Sequence, residues 1–144
     1  MSSRSQYTAR TEIETDDDTD DTAEIGYDTD SDVLYVDLSG RLDRDTVRRA
    51  ADEAIAAADR LGETFDAITD LREFAPPAPE AAEPIGEAQA ELVEMGLDEV
   101  VRVTDEDTSA VVVNAFERRS RKAGYSGDTA PDLQTAERRL GVSN

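Results

Sequence analysis

The hydrophobic period switches repeatedly along this chain, and that switching restricts the fold more than any other feature. Val33-Leu34-Tyr35-Val36-Asp37-Leu38 is a short β-favouring run, whereas Val47, Ala50, Ala51, Ala54, Ile55, Ala58 and Leu61 recur at the spacing of one helical face. Phe65 to Leu71 returns to strand character before a proline-stiffened stretch, Pro76-Pro77-Ala78-Pro79. Glu80 to Met95 is helical again, with Gly96 as its stop, and Val100 to Val103 reads as a buried strand. Strands alternating with helices imply an α/β domain with a mostly parallel sheet and right-handed crossovers.

The ends of the pattern follow the same logic. Ile25 and Tyr27 alternate with small or polar residues, and Asp30-Ser31-Asp32 supplies turn chemistry before the run at Val33, so the domain should open on a β-hairpin. Asp43 or Asp45 can cap the first helix, which is expected to run about five turns to Gly62. A third helix is expected from about Asp107 to Lys122 and a short fifth strand near Tyr125. Pro131 then opens a final helix through Leu133, Ala136 and Leu140. Residues 1–22 are nearly devoid of large apolar side chains and are expected to be a disordered acidic tail, leaving 23–144 as one domain.

Charge limits the partners. The 144 residues carry 15 Lys plus Arg against 35 Asp plus Glu, a net charge of −20. Nucleic acid and anionic membrane surfaces would repel such a chain. Its self-repulsion is long-ranged at 0.1 M salt, where the screening length is about 10 Å, and falls to about 3 Å at 1 M. Lys122 is the one lysine, so arginine carries the remaining positive charge; together with carboxylates spread through the helical segments this points to a halophilic archaeal protein. No apolar run reaches the length of a membrane span and the N-terminal residues lack a secretory core, so a cytoplasmic location is expected.

The residue inventory also limits the chemistry. The chain has neither Cys nor His, which excludes thiolate nucleophiles, disulfides, imidazole relays and His-ligated zinc. The Asp16–Asp21 run lacks the glycine and terminal Glu of a calcium loop, and no glycine pattern for a nucleotide phosphate is present. No catalytic residue, metal ligand or cofactor is expected. In an open α/β sheet, partners meet the loops beyond the C-terminal strand ends, here around Asp70 to Pro79 and Thr104 to Ser109. Asp70, Arg72 and Phe74 are therefore the candidate contact residues, with an arginine fork and an aromatic ring of the kind that anchors interfaces; the alternative for Phe74, which the pattern favours, is that its ring tucks under its own loop. Arg118, Arg119 and Arg121 form a basic cluster suited to an acidic partner or to a helix C-terminus.

Taken in order, the hairpin, Leu38-Ser39-Gly40-Arg41-Leu42 before a helix, the strand ending Thr69-Asp70-Leu71-Arg72, and Phe116 to Tyr125 resemble the SpoIIAA-like STAS family over about residues 23 to 140. The resemblance implies a STAS-like mixed sheet of 4–5 strands, an opening β-hairpin followed by βαβαβα, and a regulatory protein-interaction role without enzymatic activity, as a monomer or homodimer. In the family's anti-sigma-factor antagonists the aspartate is followed two residues later by a phosphorylatable serine and then a glycine. This chain carries Arg72 and Glu73 there, so the phosphoserine switch is not expected. The alternative is a carrier of a small ligand or lipid in a pocket between helix and sheet, since some STAS-like folds resemble lipid-carrying domains and these helices are rich in Ala.

Overall fold

The computed structural model describes residues 9–13, 22–29, 31–74, 83–104 and 126–141. Its strands are β1 (Ala9–Ile13), β2 (Thr22–Asp28), β3 (Val33–Gly40), β4 (Phe65–Phe74), β5 (Leu97–Val103) and β6 (Ser126–Ala130). Its helices are α1 (Arg44–Ala58), α2 (Glu83–Met95) and α3 (Leu133–Arg139). The α/β expectation holds, and the strands form one sheet in the order β1-β2-β3-β4-β5-β6. β1, β2 and β3 pair antiparallel, whereas β3 to β6 pair parallel.

This sheet has one strand more than the sequence suggests. β1 lies within the stretch expected to be a disordered tail, and it pairs with β2 from Ala9 opposite Tyr27 to Ile13 opposite Ala23. A free edge of backbone N–H and C=O groups offers hydrogen bonds that do not depend on side-chain hydrophobicity, and Thr11 and Ile13 favour the extended backbone. The antiparallel part is thus a three-stranded meander rather than a single edge pair. The Asp16–Asp21 run and the expected helix from Asp107 to Lys122 lie outside the described residues.

Several local expectations hold in detail. Asp43 caps α1, its Oδ1 accepting the Thr46 N–H at 2.8 Å. That bond is the first cause holding the Asp43 carboxyl below its ordinary range. The helix stops at Ala58, before the expected Gly62, whose N–H instead donates to Asp32 Oδ1 at 3.0 Å. Gly96 joins α2 to β5 with φ +122°; a side chain there would drive its Cβ to 1.9 Å from the Glu63 carbonyl oxygen, so only glycine fits. Pro131 precedes the final helix, and Asp132 is its cap, accepting the Thr135 N–H at 2.7 Å.

The two faces of the sheet are covered differently. α1 and α2 lie on one face, where Ala50, Ala51, Ala54, Phe65, Leu71, Phe74, Ile85 and Leu92 join one buried cluster. The alanines of α1 let its backbone sit close to the strands, and Arg44–Glu83 and Arg48–Glu87, each at 3.9 Å, tie α1 to α2 at the surface. α3 covers the opposite face over Val33, Tyr35, Ile68, Val101, Val103 and Ala130.

Candidate functional site

The C-terminal ends of the parallel strands bring the predicted contact residues into view, and a β-bulge decides which of them face outward. Strict alternation along β4 would put Asp70, Arg72 and Phe74 on one side of the sheet. The β3–β4 register shifts: Asp37 pairs with Asp70, but Ser39 pairs with Glu73, so β4 carries an extra residue between these pairs. The extra residue reverses the alternation. Phe74 turns into the α1/α2 cluster at 1 % exposure and does not stand beside Arg72 as a surface anchor. Burial of such a ring contributes roughly 2–3 kcal/mol, which opposes any outward turn.

Asp70 holds the bulge. Its Oδ1 accepts the Arg72 backbone N–H at 3.1 Å and Nε at 3.1 Å, while Oδ2 accepts Nη2 at 2.8 Å. A carboxylate bonding the N–H two residues ahead is the turn geometry that aspartate favours, and the guanidinium fork adds a two-pronged ion pair. The Arg72 side chain is 36 % exposed and Asp70 18 %, so the pair reaches solvent from a partly enclosed base. Arg72 also reaches toward α3, where its charge adds to the backbone hydrogen bond from Thr135 that chiefly lowers the Asp132 carboxyl. Beside this pair, the Ser39 hydroxyl donates to Glu73 Oε2 at 3.3 Å. Arg118, Arg119 and Arg121 lie outside the described residues.

A second feature is internal. Between α1, α2 and the middle strands lies a cavity of about 20 Å³, lined mainly by Leu34, Ala54, Ala67 and Leu92 with Thr69 and Gln89 as its polar members. Gln89 Oε1 is buried with no hydrogen-bond partner. Such a space admits about one water, whereas pockets for small-molecule ligands run to roughly 300–1,000 Å³. Among the described residues, this space between α1, α2 and the sheet is smaller than a lipid chain needs.

A buried hydrogen-bonded pair, Tyr35 and Glu137, escaped the sequence reading. Tyr35 donates its hydroxyl to Glu137 Oε2 at 2.8 Å across 102 residues of chain, and Glu137 has 0 % exposure. Burial pushes the Glu137 carboxyl up, the Tyr35 hydrogen bond opposes this, and the nearby Asp28 adds to it. A signal existed: Glu137 follows Leu133 by four residues and Ala136 by one, which puts it on the apolar stripe of α3. At the other end of the parallel strands, burial likewise raises Asp66. The Glu99 N–H at 3.2 Å opposes that rise, and the charges of Glu99, Asp98 and Asp32 reinforce it.

Among the described residues no group of three or more acidic side chains is arranged to hold a metal ion, and no helix is long and apolar enough to cross a membrane. Compared with known proteins, the chain matches no family model, no curated protein and no solved structure.

Proposed function

We propose that this chain is a non-enzymatic, STAS-like interaction module of a halophilic archaeon, acting in the cytoplasm and contacting another protein through the C-terminal ends of its parallel strands. The observation that carries this reading is the Asp70–Arg72 pair. Arg72 is fixed on a bulge by three hydrogen bonds to Asp70, two from its guanidinium and one from its backbone N–H, with part of its surface left to solvent. A preorganised guanidinium loses little freedom on binding, and it suits a carboxylate-bearing partner of the kind common in an acidic proteome. The order β2-β3-α1-β4-α2-β5 agrees with the hairpin and alternating elements on which the family resemblance rests. Arg72 and Glu73 occupy the positions of the family's serine and glycine, so contact at this edge would be constitutive rather than phosphorylation-controlled.

The test is affinity capture from a halophilic lysate held in molar KCl, comparing the wild type with Arg72→Glu. Phe74 is left intact because its removal would damage the core. A protein partner retained by the wild type and lost by the folded variant supports the reading. Equal retention moves the contact elsewhere, and retention of no protein overturns the module.

A further inference from the structure

Among the described residues, α3 is the helix on its face of the sheet, and it brings little apolar surface. It is seven residues long, with Ala136 fully buried and Leu133 and Leu140 only partly so. Glu137, on the same stripe, is inserted against the sheet with no exposure at all. Its Oε2 accepts the Tyr35 hydroxyl, and its Oε1 has no hydrogen-bond partner.

The groups around this carboxyl favour its neutral form. β3 presents Tyr35, and β2 presents Asp28, itself 4 % exposed and acting on Glu137 as a like charge. β4 presents Ile68, β5 presents Val101 and Val103, and β6 presents Ala130. Arg138 and Arg139 on α3 itself are exposed, and among the described residues no Lys or Arg forms an ion pair with Glu137. A carboxylate in this setting would bear a full charge with one oxygen unpaired, no cation among the described residues to offset it and another acid close by. The neutral acid leaves only a dipole partly unmet, a far smaller penalty.

We propose that Tyr35 and Glu137 form a protonation-controlled latch: α3 docks with Glu137 as the neutral acid, and transfer of that proton to solvent releases the helix from the sheet. This goes beyond partner binding and does not depend on it. The direction follows from linkage. A carboxyl whose docked-state affinity for the proton exceeds its free-state affinity supports docking fully below the ordinary glutamate value, 4.5. That support is lost as pH rises toward the docked-state value. Release removes α3 from Ile68, Val101, Val103 and Ala130, so the apolar surface that α3 itself covers becomes available in one protonation state only.

Amide hydrogen exchange on the full chain in molar KCl, corrected for intrinsic rates, reads the latch directly. The Ala136 and Leu140 amides bond within α3, to the Asp132 and Ala136 carbonyls. In the wild type the opening constant of these amides should rise with pH by up to about tenfold per unit, while β3 and β4 stay protected. In Glu137→Gln the same amides should be protected with no such slope. The same slope in that variant, or α3 opening only together with β3 and β4, would overturn the latch. Tyr35→Phe gives an independent reading and decides the matter if the first variant does not fold. Removing the hydrogen bond that favours the ion should move the window to higher pH, and an unmoved or lowered window would count against the proposal.

Discussion

The two faces of this sheet are held by different physics. On one, α1 and α2 bury a continuous apolar cluster from Ala23 to Val100, with Thr69 and Gln89 beside a cavity of about 20 Å³ and with Arg102, 1 % exposed, opposite Thr69 in the register. On the other, among the described residues, a helix of seven residues packs on a smaller cluster and inserts a glutamate into it. Apolar burial is non-directional and insensitive to pH, whereas a buried acid makes packing depend on a proton. One sheet therefore carries a face built for stability and a face whose attachment is conditional.

The comparison would break first at Phe74. Phe74→Ala should cost about 3–5 kcal/mol, read as a lower denaturation midpoint for the whole domain, and a loss below about 1 kcal/mol would mean that the α1/α2 face is not the dominant core. Replacing Glu137 by Gln has the opposite sign: stability at neutral pH should rise by about 1–2 kcal/mol. The difference from wild type should shrink as pH falls toward 4.5, the ordinary glutamate value. Asp66, also raised chiefly by burial, should leave part of the pH dependence in place in that variant, because its ionisation likewise weakens the fold as pH rises.

Within the robust face, Gln89→Met keeps the size of the side chain and removes a buried amide oxygen without a partner, so it should stabilise by about 1 kcal/mol. Destabilisation would show instead that a water satisfies Gln89. The smallest effect is expected at Leu133, half-buried on α3: Leu133→Ala should cost about 1 kcal/mol or less globally, while exchange of the α3 amides speeds up markedly. Lowering KCl from molar to about 0.1 M should reduce the melting temperature of every variant, since carboxylate repulsion is then poorly screened. An unchanged melt would remove the halophilic reading.

What the sequence disclosed depended on how local each feature is. The Asp43 cap, the Gly96 stop and the strand run at Val33 are set by residues a few positions apart, and each is found as expected. Phe74 is different. Its side depends on a bulge, and a bulge is a mismatch between two strands, Asp37 with Asp70 and Ser39 with Glu73, that neither strand displays alone. β1 was hidden because its pairing to β2 depends on backbone hydrogen bonds more than on apolar residues. The Tyr35–Glu137 contact spans 102 positions and joins a strand to a helix on the far side of three crossovers, so only assembled geometry reveals it. Of the candidate site, Asp70 and Arg72 were legible as surface candidates because they lie at one strand end, whereas their ion pair comes from the bulge and was not.

The strand order has a consequence for how such a chain can grow or be cut. Each strand's neighbours in the sheet are also its neighbours along the chain, so the sheet can zip from one end without a late insertion into its middle. Contacts close in sequence cost less loop entropy to form, which favours quick assembly for a largely parallel architecture. Trimming from either end removes an outer strand and leaves the remainder paired, so β1 or the β6–α3 unit could be lost or added between relatives while the Asp70 bulge, on an interior strand, keeps its flanking support.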